Sequence, residues 1–91
     1  MKKGSFNLLN GTFSVKEALY ILMELYSNKI TFHQRDVFSK EERNQGDVTH
    51  SKNRIIELTE DKNRIREILT SSENLERKVK INGEIFLEII D

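Results

Sequence analysis

Residues 48–69 read VTHSKNRIIELTEDKNRIREIL and carry the clearest helical pattern in the chain. At about 100° per residue, Val48, Ile55, Leu58, Ile65, Ile68 and Leu69 fall within an arc of roughly 160°. Ile56 alone points elsewhere, and charged or amide side chains fill most of the remaining surface. A helix this amphipathic is unstable alone in water, so it needs a partner surface.

The segment before it supplies one. Ser14 and Glu17 have capping-box spacing, with Phe13 and Ala18 at the flanking staple positions. From Val15, a stripe of Ala18, Leu19, Leu22, Leu25, Tyr26 and Ile30 predicts a first helix over 14–43. A second capping-box spacing, Ser39 with Glu42, leaves two options. The helix breaks near Phe38, or it runs on to about residue 43. Asn44-Gln45-Gly46-Asp47 reads as a loop, with Gly46 suited to a left-handed helix end and Asp47 or Thr49 suited to capping the helix over 47–72. A short loop between two amphipathic helices gives an antiparallel helical hairpin.

Both ends of the chain read as β structure. Residues 5–9 (SFNLL) form a short strand and Asn10-Gly11 a turn, so 5–13 is strand and turn. At the C-terminal end, Lys78-Val79-Lys80-Ile81 and Glu84 to Ile90 flank Asn82-Gly83, which reads as a β-hairpin over 77–90. A two-residue loop pairs Ile81 with Glu84. A three-residue loop pairs Lys80 with Glu84 and sets Val79, Ile85, Leu87 and Ile89 on one face, and burial of one face favours it. The expected fold is α+β, one domain over 1–91, with an antiparallel two-helix hairpin packed on a small antiparallel sheet in the order β-α-α-β-β. In topology alone this order resembles the small RNA-acting, ribosome-directed toxins of toxin–antitoxin systems, and no activity carries over from that likeness. The charge balance departs from the basic surplus of such proteins, and no residue role carries over.

Composition excludes several classes. Fifteen Lys and Arg balance fifteen Asp and Glu, which disfavours a dedicated nucleic-acid binder. Without cysteine there is no disulfide scaffold, thiolate nucleophile or thiolate metal site. The basic start at Lys2-Lys3 is followed by no apolar core of a signal peptide, and no apolar run approaches the roughly 20 residues that span a bilayer. The expectation is a bacterial cytoplasmic protein with no membrane partner, no cofactor, no metal and no small-molecule ligand.

Motifs for chemistry are sparse. His33 and Asp36 lie one turn apart, but no nucleophile stands beside them in the sequence. His50 can approach Glu41, Glu42 or Asp47 across the hairpin, a thin ligand set. The glycines form no phosphate-cradling pattern. Lys52, Arg54, Arg64 and Arg66 are the residues a nucleic-acid regulator would use, yet Glu57, Glu60, Asp61 and Glu67 are interleaved with them. The remaining signal is apolar excess. Tyr20, Met23, Phe38 and Ile56 project outside the main stripes, and Phe86 and Ile90 lie near the C-terminal edge. The sequence therefore favours a non-enzymatic protein-interaction module that self-associates. Its interface would be the edge of the C-terminal strand or the outer face of the helices.

Overall fold

The computed structural model describes residues 2–44 and 46–90. The chain runs through β1 (Lys3–Ser14), α1 (Val15–Arg43), α2 (Thr49–Thr70), a single 3-10 turn over Ser72–Asn74, and β2 (Lys78–Glu88). The α+β class, the antiparallel helical hairpin and the small antiparallel sheet are as expected.

The capping box starts α1 as its spacing predicts. The Ser14 hydroxyl accepts from the Glu17 amide at 3.1 Å, and the Glu17 carboxylate accepts from the Ser14 amide at 2.9 Å. These hydrogen bonds hold the Glu17 carboxyl below its ordinary range, the backbone bond from Ser14 contributing most. The helix does not break at Phe38, and the second capping-box spacing goes unused. The reason is tertiary: the last turns of α1 are tied to the first turns of α2. Ser51 links to both His33 and Asp36, and Lys52 pairs with Glu41 at 3.6 Å. The left-handed helix end falls on Asn44 (φ 53°), earlier than the Gly46 expected for it. Gly46 also has positive φ, within the loop itself. The N-cap of α2 is Val48, which has no side-chain cap; neither Asp47 nor Thr49 takes that position, and Asp47 Oδ1 instead accepts from the Thr49 amide at 2.9 Å from one residue further out. At its far end, the Asn74 side-chain amide donates to the Ile68 carbonyl at 2.9 Å.

The C-terminal hairpin expected over 77–90 is instead one uninterrupted strand. The turn expected at Asn10-Gly11 also lies inside a strand. The two Asn-Gly pairs face each other across the ladder, Asn10 opposite Asn82 and Gly11 opposite Ile81. A local turn signal loses here to long-range pairing. A hairpin with arms of a few residues is marginal, whereas β2 pairs with β1 along its whole length. The expected Lys80–Glu84 cross-strand pair is therefore absent: Lys80 opposes Thr12 and Glu84 opposes Asn7.

One register shift interrupts the ladder, between Asn7 and Leu9, and leaves Leu8 as the bulged residue. Side chains alternate across a strand. Without the bulge, Asn7 and Ser5 would share the face of Phe13 and Leu9. With it, Phe6 and Gly4 do, opposite Ile85 and Leu87. The bulge keeps one ribbon face apolar from end to end and the other polar, with Phe86 the exception.

The core is small and sits where the ribbon meets the helices. Val15, Ala18 and Leu69 are buried there, with Phe13, Leu19, Leu22, Ile65, Val79 and Ile81 packed around them. Among the described residues no large side chain is fully buried. The radius of gyration is 16.5 Å, against about 12 Å for a compact domain of this length. Beyond its base the ribbon stands clear of the helices: Phe6, Leu8, Ile85 and Leu87 are all exposed.

Replacing Ser14 with Ala should remove the cap at the ribbon–helix junction and lower stability by about 1 kcal/mol in denaturant titration. A change within error of zero would show that the junction is held by the apolar cluster alone.

Candidate interaction surface

The ribbon presents one continuous apolar face. It starts in the core with Phe13, Val79 and Ile81 and continues outward through Leu9, Phe6, Ile85 and Leu87. Its outer half is open: Phe6 is 55% exposed and Leu87 47%. Both ribbon edges lack a strand partner among the described residues. On α1, Ile21, Leu25 and Phe32 fall within about 40° of arc and form a second, shorter stripe.

The candidate interface residues do not form one patch. Tyr20 and Phe38 are exposed on one side of α1, eighteen residues and so about five turns apart. Met23 is half-buried, and its sulfur accepts from Arg66 Nη2 at 3.6 Å. Ile56 is exposed among Lys52, Asn53, Thr59 and Glu60, its neighbours one turn away. Phe86 lies on the ribbon's polar face opposite Ser5, and Ile90 follows the end of β2. Reading the sequence missed Phe6, Leu8, Ile85 and Leu87 as a set. The alternation in β2 was visible, but their assembly with Phe6 depends on the Leu8 bulge, which carries no local signature.

The basic residues of α2 are dispersed. Lys52 pairs with Glu41, Arg54 with Glu57, and Arg66 meets Met23. Arg64 is exposed, and Lys62 donates to Ser27 at 2.9 Å. No continuous cationic track results.

At the far end of the helical hairpin lies a buried polar cluster. Ser51 Oγ donates to Asp36 Oδ2 at 2.6 Å and lies 3.1 Å from His33 Nδ1. Since the serine proton goes to the carboxylate, the oxygen can only accept from histidine, which places the imidazole proton on Nδ1. His33 Nε2 is then a bare acceptor, buried and without a partner among the described residues. The order is carboxylate, hydroxyl, imidazole. Activating a serine requires carboxylate, imidazole, hydroxyl, so this arrangement does not prepare a nucleophile. It ties two helices together. His50 approaches His33 edge-on with ring centroids 6.3 Å apart. No three His, Asp or Glu side chains converge on one point among the described residues.

Burial holds the His33 pKa below its ordinary value, and the charges of Lys29 and Arg54 and the nearby His50 add to the effect; Asp36 opposes it. The Asp36 pKa is also lowered, first by the Ser51 hydrogen bond and then by Lys40, whose ammonium lies 3.3 Å away. Within the described residues, no helix is long and apolar enough to cross a membrane. Comparison of the chain with known protein families, characterised proteins and solved structures gives no match.

The His33 shift has a definite pH consequence. In the unfolded chain the imidazole takes up a proton near pH 6.5, and in the folded chain only at lower pH. Its contribution is fully present above about pH 6.5 and is lost as pH falls toward the folded value. The denaturation midpoint should drop between pH 7.5 and 5.5, and His33→Gln should flatten that drop. Equal slopes in the two proteins would remove His33 as the cause.

Proposed function

We propose that this chain is a non-enzymatic, self-associating interaction module whose complete folded unit is a homodimer in a reducing cytoplasm. The observation that carries this reading is surface area. The chain exposes 7429 Å². A compact monomer of its 10.7 kDa mass exposes about 5,500 Å². The excess, about 1,900 Å² per chain, exceeds the roughly 800 Å² per partner of an ordinary stable interface and falls in the range of obligate dimers.

Two further features support the reading. The excess coincides with an ordered, single-sided apolar ribbon, which is what a packing surface requires. Zero net charge gives two copies no overall repulsion to overcome. The cytoplasmic location rests on the lack of cysteine.

Light scattering after size exclusion should give twice the 10.7 kDa chain mass, unchanged at high salt because the interface is apolar. Ile85→Asp, in the exposed middle of the ribbon face, should raise the dimer Kd by at least about thirty-fold. A monomer at both salt concentrations would overturn the proposal.

A further inference from the structure

The reading of the chain as a dimer leaves open which surface meets which. The distribution of charge along β2 decides it. The strand reads KVKINGEIFLE, with Gly83 near its middle. Lys78 and Lys80 precede that glycine, and Glu84 and Glu88 follow it. A strand that is basic before its centre and acidic after it is complementary to an antiparallel copy of itself. β1 has no such property, since it holds Lys3 and no acidic residue.

The two edges of the ribbon differ in backbone geometry as well. The β1 edge carries the Leu8 bulge, a device that twists an edge away from further pairing. β2 is regular over its whole length.

We infer that two copies pair antiparallel along β2, with Gly83 facing Gly83 on the two-fold axis, to make one four-stranded sheet. This rests on the dimer reading above and specifies its interface. In this register Lys78 opposes Glu88 of the second copy. Val79 opposes Leu87, and Ile81 opposes Ile85, so the apolar face of one ribbon continues into that of the other. A register two residues away also keeps one ion pair, Lys80 with Glu88 or Lys80 with Glu84, but the first sets Glu84 against its own copy and the second sets Ile81 against Gly83 in place of Ile85.

An independent feature lies beside the same strand. A groove runs along the first residues of β2, floored by Val15, Ile68, Leu69 and Val79 and rimmed by Arg77 and Lys78. In the paired dimer the segment arriving there is Leu87-Glu88-Ile89 of the second copy. Its apolar side chains suit the floor, and its carboxylate suits the rim.

The test uses the full chain, which contains no cysteine. A Cβ added at Gly83 meets only Leu9 Cβ, at 3.9 Å, so Gly83→Cys fits the ribbon. Residues opposite each other in an antiparallel pair have Cα atoms about 4.5 or 5.5 Å apart, both compatible with a disulfide. The double variant Asn82→Cys with Glu84→Cys samples the neighbouring site, so one of the two variants occupies the closer spacing. Under mild oxidation one or both should form a covalent dimer at least about ten-fold faster than Asn10→Cys, on the other strand. If all three proteins are dimeric by mass and neither designed variant outpaces Asn10→Cys, this interface is wrong and the dimer reading stands. If all three are monomeric, both fall together.

Discussion

The antiparallel ladder between Lys3–Ser14 and Lys78–Glu88 joins the two ends of the chain, and everything else is hung from it. It fixes the start of α1, because Ser14 is both the last residue of β1 and the cap of the helix. It also brings Val79 and Ile81 against Val15 and Ala18, which with Leu69 make the buried cluster where ribbon and helices meet. Yet a two-stranded ribbon is marginal by itself in water. The element that organises the fold is therefore one that needs further support, and the chain's own helices provide it only at the base.

The two ends of the helical hairpin are held by different physics. Near the ribbon the contact is apolar, through Ala18, Leu22, Ile65 and Leu69. At the loop end it is polar, through Ser51 with Asp36 and His33 and the exposed Lys52–Glu41 pair. Exposed ion pairs contribute little. The buried hydrogen bonds set the register of the two helices more than they add stability, and the unpartnered His33 Nε2 is a cost there. With no large side chain fully buried among the described residues, the chain has little internal reserve. Association through the ribbon would supply what the monomer lacks, which links the sparse core to the proposed function.

Much of this was legible from residue order. The stripes of α1 and α2 and the Ser14–Glu17 box are local patterns, and local hydrogen bonds complete the box. The strand alternation was also legible. Val79, Ile85 and Leu87 share a face whether residues 78–88 form a hairpin with a three-residue loop or one strand, since the parity is the same. What residue order hid was non-local. Asn10-Gly11 and Asn82-Gly83 each carry a strong turn signal, and only their pairing with each other keeps both extended. The Leu8 bulge likewise exists only relative to a partner strand. The open apolar face is non-local in the same way: Tyr20, Phe38 and Ile56 stand out on their own helices, whereas that face is assembled from two strands distant in sequence.

The central claim is that folding and association are one process in this chain. Equilibrium urea denaturation, followed by helical circular dichroism at two chain concentrations about a hundred-fold apart, tests it directly. A dimer that folds as it forms must show a midpoint that rises with concentration, because mass action favours the associated state. A midpoint independent of concentration would mean that the monomer is stable with its ribbon face open, and would contradict the account.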